Sequence, residues 1–311
     1  MEPTRWKKGK SMDIRAIAMG LAFALMWSSA FSFARIIVAA APPLSALSLR
    51  FLISGLLGVA LAWLLGQSWR LDRGQWRATV VFGICQNALY LGLYFVAMQT
   101  VEASLAAIVA STMPLLVGLA GWLFLGERIG PLGAAGLAAG LAGVIVIMGV
   151  RLGGGGVDPL GLGFCVVGVV ALALATLSMR GASSGGNFLM VVGLQMLVGS
   201  AVLSVVALLL EDPLAVDWSW TLAGAFTYTT LVPGLAATLV WFRLVDRIGA
   251  TRAAAFHFLN PFLGVAIAAL MLGERMGLRE WGGVAIIAAG ILAVQMSRMR
   301  AAPRPAAMLR D

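Results

Sequence analysis

Charge is what this chain has least of. Of its 311 residues only 22 are Lys or Arg and 13 are Asp or Glu, 11% together, where a soluble domain carries about 25%. With 61% hydrophobic residues and a mean hydropathy of +0.96, that deficit excludes a soluble enzyme and equally a disordered or fibrous chain. Two cysteines cannot frame a disulfide scaffold; Cys85 and Cys165 both sit inside apolar runs and read as core thiols. There is a single histidine, His257, and none of the thirteen acidic residues lies in the middle of an apolar run. An intramembrane enzyme needs paired carboxylates, a metal cluster, or a nucleophile beside a base, and those parts are missing. No catalytic residue, metal or cofactor is therefore expected. A receptor or scaffold would need none of the features described below. The net charge of +9 and pI near 10.7 would suit nucleic acid, but the basic residues are scattered between apolar blocks, which points to membrane orientation and away from a nucleic-acid partner.

What the chain does have is apolar runs. A membrane helix takes about 20 mostly apolar residues, and ten segments qualify, near residues 14–39, 44–65, 77–97, 103–125, 132–150, 160–179, 187–210, 219–242, 251–272 and 281–297. The first follows Arg5, Lys7, Lys8 and Lys10 as a signal peptide would, but its length and the nine spans after it mark a retained helix. The fold class expected is an all-α polytopic membrane protein. Of the Lys and Arg residues, 17 fall on the side of the termini and 5 (Arg35, Arg50, Arg151, Arg275, Arg279) on the other. That split predicts cytoplasmic termini in a bacterial-type plasma (inner) membrane. Trp63, Trp69, Trp76, Trp218, Trp220 and Trp281 stand at span ends as interfacial belt residues.

Two stretches match at a constant offset of 147 residues: "MPLLVGLAGWLFLGERIG" within 103–143 and "NPFLGVAIAALMLGERMG" within 250–290. Pro114 pairs with Pro261, Gly126-Glu127-Arg128 with Gly273-Glu274-Arg275, Gly143 with Gly290 and, more weakly, Phe95 with Phe242. The organisation read from this is a basic tail (1–13), a first five-helix repeat (14–150), a Gly-rich linker (151–158), a second five-helix repeat (159–297) and a second tail (298–311). Five is odd, so the second repeat crosses the membrane in the opposite sense. Inverted repeats sharing a central site are the architecture of secondary transporters.

The doubled signature, a proline inside a helix, then "LGER", then a Gly/Ala-rich helix, resembles the EamA family of the drug/metabolite transporter superfamily. So do "LMWSSAFSFAR" near the start and Leu49-Arg50-Phe51. The resemblance covers about residues 13–297 and, within the family, is greatest to the bacterial aromatic amino acid exporters. It implies a basket of helices around a central cavity and export of amino acids and related metabolites.

Intramembrane polar residues are the candidates for handling a substrate, because burying them is costly. His257 and Asn260 share a helical face with the break at Pro261. They can bind substrate or simply join helices. Gln86, Tyr90 and Tyr94 recur every four residues with Asn87 beside them, forming an apolar wall with polar handles or an ordinary packed face. Trp27 and Ser28 lie at mid-depth of the first span, Met113 and Pro114 in the fourth, Pro233 and Trp241 in the eighth. Pro114, Pro233 and Pro261 are the candidate kinks or hinges. Gln195, among wholly apolar turns, is a weaker candidate. Arg50, near the outer end of the second span, either meets a substrate carboxylate or snorkels to the headgroups, the commoner fate. Glu127-Arg128 and Glu274-Arg275 read as turn and cap elements with local ion pairs. Gly136 and Gly140 form a small-xxx-small face whose partner lies in this chain or in a second copy, so monomer and homodimer both remain open.

Without an intramembrane carboxylate a proton-driven pump for cationic drugs lacks its usual binding group, and one buried arginine is poor provision for phosphorylated substrates. The substrate expected is a small, net-neutral molecule with an apolar side chain. This agrees with the resemblance, which implies a secondary transporter exporting neutral, especially aromatic or large apolar, amino acids and related metabolites. The absence of a carboxylate relay adds the expectation of alternating access by a facilitative route. The alternative is a proton-coupled exporter of drugs or other metabolites, with His257 as the titrating group.

Overall fold

The computed structural model describes residues 13–127, 129–153, 157–178 and 186–301. Among these residues are ten helices long and apolar enough to cross a bilayer and no strand. They are α1 (Ile14–Val38), α2 (Pro43–Leu64), α3 (Arg73–Ala97), α4 (Ala103–Phe124), α5 (Pro131–Arg151), α6 (Pro159–Ser178), α7 (Phe188–Leu210), α8 (Trp220–Ile248), α9 (Arg252–Leu272) and α10 (Leu278–Met299). Lipid offers the backbone no partner, so each segment satisfies its own N–H and C=O groups as a helix. The expected all-α, ten-span fold is therefore what forms. Arg128, Arg180, the linker glycines 154–156, the basic residues Arg5 to Lys10 and the tail from residue 302 lie outside the described residues, as does the side chain of Phe242.

Helix ends depart from the apolar runs where capping sets the limit. α3 begins at Arg73, four residues before the expected start, because Asp72 Oδ1 accepts from Gln75 N at 2.8 Å while Gln75 Oε1 accepts from Asp72 N at 3.0 Å. α8 outruns its apolar stretch through Arg243, Asp246 and Arg247 and stops at Gly249, whose φ of 86° suits glycine. The helix of α10 starts at Leu278 and continues to Ala301, taking in residues expected in the tail.

Four spans are irregular at mid-depth. α4 breaks at Thr112, just before Pro114; α8 widens into a π-helical turn over Val232–Ala236, around Pro233; α9 tightens to a 3-10 turn over Phe256–Leu259, just before Pro261. Each of these prolines removes a backbone donor, so the helix around it must be relaid. α3 has a π-helical stretch at Gly83–Tyr90.

The repeat is visible in packing. A Cβ on Gly136 would lie 2.8 Å from Gly290 O, and one on Gly143 would lie 2.8 Å from Gly283 O. At the 147-residue offset these two contacts are images of each other, so α5 and α10 meet about a pseudo-two-fold axis. The small-residue face thus finds its partner within the chain. α2 and α7 form the corresponding pair at the other end, where a Cβ on Gly58 would lie 3.2 Å from Gly193 Cα. Five crossings in each unit make the second unit run opposite to the first.

The symmetry is broken at α4 and α9. The first half of α4 packs along the second half of α9, where a Cβ on Gly264 would come 2.5 Å from Ala107 Cβ. The equivalent pairing, the first half of α9 with the second half of α4, makes no comparable seam among the described residues. At the offset, Val117 stands where Gly264 does and so blocks as close an approach.

The face remote from the termini is tied together by polar contacts. Glu211 accepts from Leu44 N at 2.9 Å and Ser45 N at 2.8 Å, capping α2. Arg151 bridges Glu102 and Glu280, Arg35 donates to the Met98 carbonyl, and the Thr100 hydroxyl donates to Asp158 at 2.7 Å. On the terminus face Asp13, capping α1, pairs with Arg247 at the end of α8.

Candidate functional site

Phe23, Trp27 and Phe31 of α1 are four residues apart and run along one side of the helix. The Phe23 ring lies 4.7 Å from Trp241 of α8, 5.5 Å from His257 of α9 and 5.8 Å from Trp27, centroid to centroid. Trp241 and His257 meet edge to face at 5.2 Å. These separations are those of attracting ring pairs. Trp27, Trp241 and His257 are half-buried while Phe23 is buried. The His257 Nδ1 lies 3.1 Å from the Ala254 carbonyl. A carbonyl only accepts, so this contact is a hydrogen bond when Nδ1 carries the proton, and in that tautomer of the neutral ring Nε2 is left as an acceptor.

The 3-10 turn stacks residue i over i+3 and so places Asn260 beneath His257. Asn260 is buried, and Ser28 Oγ donates to its backbone carbonyl at 3.4 Å. The Asn260 Oδ1 and the hydroxyl of Ser32, one turn beyond Ser28, are enclosed without a partner among the described residues. An unmade bond of this kind costs about 1–3 kcal/mol. A ligand bringing an N–H donor to Asn260 Oδ1 would recover it. Aromatic faces on one side and unspent acceptors on the other suit a molecule with an apolar part and an amino group.

The other sequence candidates are placed differently. Phe31 carries the aromatic strip on to Tyr94 at 6.1 Å, and Tyr94 lies 4.6 Å from Tyr90. Both tyrosines are fully buried against α6, where Gly168 makes room: a Cβ there would lie 2.9 Å from Tyr94 Cδ2. The Tyr94 hydroxyl has no partner among the described residues. Asn87 turns to α7 and donates from Nδ2 to the Gln195 carbonyl at 2.9 Å, a bond between helices. Gln86 is half-buried, and Gln195 is buried. Met113 faces α6, its sulfur 3.8 Å from the Thr176 hydroxyl. Trp27, Ser28, Trp241, His257 and Asn260 thus come together. Tyr90 and Tyr94 lie apart from them, meeting the aromatic face of α1 at Phe31, one turn beyond Trp27. Phe23, at the centre of the ring cluster, was detectable from its four-residue spacing to Trp27.

Two expectations are corrected. Arg50 does not snorkel. Only 6% exposed, it donates from Nε to the Thr229 carbonyl of α8 at 3.2 Å, drawn there because Pro233 cannot supply the N–H that carbonyl would otherwise receive. Glu274 makes a long-range cap in place of the expected local ion pair, accepting from Ala103 N at 2.8 Å and Ser104 N at 2.9 Å. The preceding Gly273 closes α9 at φ 68°, and its counterpart Gly126 closes α4 at φ 64°. A depression of about 550 Å³ opens on the remote face beside Ala39–Leu44, Gln99, Glu211 and Asp217, away from the ring cluster.

The EamA-like transporter family matches the chain twice, over residues 14–149 and 159–296. YvbV of Bacillus subtilis (strain 168), described as an uncharacterized transporter, is 28% identical over 286 residues, covering 92% of this chain and 93% of that protein. YedA of Escherichia coli (strain K12), described as an uncharacterized inner membrane transporter, is 27% identical over 288 residues, 90% of each chain. The aromatic amino acid exporter YddG of Ancylobacter novellus is 34% identical over 144 residues, 46% of this chain and 50% of that one. A solved crystal structure covering 93% of this chain and 99% of its own has the same fold, with a TM-score of 0.66 at 24% identity. Matched twice over nearly all its length, this ten-helix membrane protein belongs to the EamA-like transporter family and carries a small molecule.

Proposed function

We propose that the chain exports neutral amino acids with aromatic or other large apolar side chains across a bacterial inner membrane, by alternating access and without obligatory proton coupling. The observation that carries this reading is the ring cluster of Phe23, Trp27, Trp241 and His257 above the unspent Asn260 Oδ1, in a membrane interior that holds no carboxylate. Rings receive an apolar side chain, and Asn260 with Nε2 of His257 accepts from an ammonium group. Tyr90 and Tyr94, buried behind Phe31, back the apolar wall, and Gln86 extends the lining on the α3 side, while Asn87 and Met113 hold α3 to α7 and α4 to α6. The exporter YddG, similar over half its length, supports the substrate class. The broken symmetry of α4 and α9 supports alternation between residues 14–150 and 159–297, bending at Pro114, Pro233 and Pro261. The excess of Lys and Arg on the terminus face supports cytoplasmic termini.

The test is flux of labelled phenylalanine into liposomes carrying the purified protein, with lysine, glutamate and ethidium as competitors and with or without a pH gradient. Uptake blocked by neutral amino acids alone and indifferent to the gradient is the expected result. Gradient-dependent ethidium movement would instead establish a proton-coupled drug exporter with His257 as its titrating group. Unimpaired flux in both His257→Ala and Tyr90→Ala would refute the assignment of the site.

A further inference from the structure

Arg50 is a cation inside the membrane with no acid to match it. It is the eighth residue of α2 (Pro43–Leu64), about 10 Å below the start of that helix at 1.5 Å per residue. Its Nε donates to the carbonyl of Thr229, the tenth residue of α8 and so about 14 Å below that helix's start. The guanidinium is thus held level with or deeper than its own backbone, the reverse of what snorkelling requires.

The anchoring follows from the sequence of α8. Pro233 has no N–H, and the π-helical turn at Val232–Ala236 displaces the bonds around it. Two neighbouring carbonyls are taken up by α2. Thr229 O receives Arg50 Nε at 3.2 Å, and Thr230 O receives Ser54 Oγ at 3.1 Å, Arg50 and Ser54 being one helical turn apart.

This use consumes one of the five guanidinium N–H groups. The four on the two Nη atoms have no partner among the described residues, and neither nitrogen is fully enclosed. Among the described residues Arg50 forms no ion pair, and its Cζ lies 5.4 Å from the centroid of the Phe51 ring. Desolvation opposes burying a cation in this way, and a single carbonyl bond does not need a charged donor. Ser54 makes the equivalent bond without a charge.

We propose that Arg50 is the carboxylate-binding residue of the transport pathway, its Nε fixed by Thr229 and its Nη edge presented to the substrate's carboxylate. The planar fork matches a carboxylate in bidentate fashion, and one opposite charge cancels the isolated cation. The inference deepens the amino acid reading above by assigning the acid end of the substrate.

The test is thermal stabilisation of the purified protein by L-phenylalanine, phenylpyruvate, phenylalaninamide and phenethylamine, for the natural chain, Arg50→Lys and Arg50→Gln. Elution profile and melting temperature would confirm that each variant folds. The natural chain should bind a carboxylate roughly tenfold or more tightly than the matched molecule lacking one, as a charge-assisted bond requires. That preference should collapse towards unity in Arg50→Gln and survive in part in Arg50→Lys. A purely structural arginine would lower the melting temperature without changing the preference. The inference is overturned if folded Arg50→Gln keeps the preference, or if the natural chain shows none. Arg50-dependent binding of phenylpyruvate without binding of phenylalanine would leave Arg50 as the carboxylate residue and refute the amino acid reading alone.

Discussion

The carboxylate of Glu274, just beyond the end of α9, holds the backbone N–H of Ala103 at the start of α4 at 2.8 Å, and that of Ser104 at 2.9 Å. An anion on a helix N-terminus fills donors the helix cannot fill itself. Because the seam between these two helices is closed on one side only, the cap acts as a latch on the remote face. Glu274→Ala should loosen it. Losing a capping interaction costs about 1 kcal/mol, on the order of fivefold in an opening equilibrium. A Ser104→Cys probe, at a position buried in the closed seam, with Cys85 and Cys165 replaced, should react several times faster with an impermeant maleimide once Glu274 is gone. An unchanged rate would show that the seam holds without the cap.

Gly290 carries no side chain because none fits. A Cβ there would lie 2.6 Å from Gly136 O and 2.7 Å from Gly140 N, backbone atoms that cannot turn aside. Gly290→Ala should therefore destabilise the α5–α10 pair by roughly 1–3 kcal/mol. Gly282→Ala, in the same helix with nothing within 4 Å of the added carbon, should be neutral or slightly stabilising. Thermal unfolding in detergent compares the two, and equal melting temperatures would count against this packing.

Pro233 keeps α8 from closing into a regular helix. Alanine at that position supplies an N–H that can bond to Thr229 O and compete with Arg50. Pro233→Ala should fold and be at least as stable, since proline in a helix interior costs about 3 kcal/mol. If bending here is part of the transport cycle, the variant should move phenylalanine several times more slowly. Natural rates from a stable variant would make the turn a static feature.

Asp13 fixes the start of α1 and ties it to α8. Its carboxyl is held down at about 2, from an ordinary 3.8, first by the hydrogen bond from Arg247 and next by that from Ala16 N. A lowered folded-state value means the contribution is complete above pH 3.8 and is lost as pH falls towards 2. Protection of the first-turn amides of α1 against hydrogen exchange should be flat from about pH 5 to 8. Asp13→Ala, which removes both the cap on Ala16 N and the partner of Arg247, should lose that protection at neutral pH. Natural protection that changed within this range would implicate another group.

Composition and periodicity alone determined that ten helices cross a membrane and that two halves repeat in opposite senses. Both follow from local rules: lipid requires a helix wherever the run is long enough, and a 147-residue offset is legible in the letters. His257, Asn260 and Pro261 were also legible, because a polar group beside a proline in an apolar run is conspicuous. What only the tertiary structure decided was where each side chain spends its hydrogen bonds. Asn87 could serve a substrate or a neighbouring helix, and the approach of α7 committed its Nδ2 to Gln195. Tyr90 and Tyr94 could line a cavity or fill a core, and Gly168 let α6 close over them. Arg50 was close enough to a helix end to reach the headgroups, yet the carbonyl left open by Pro233, 183 positions away in the sequence, drew it inward. Such partners are set by which helices lie side by side, and that arrangement depends on packing across the whole chain.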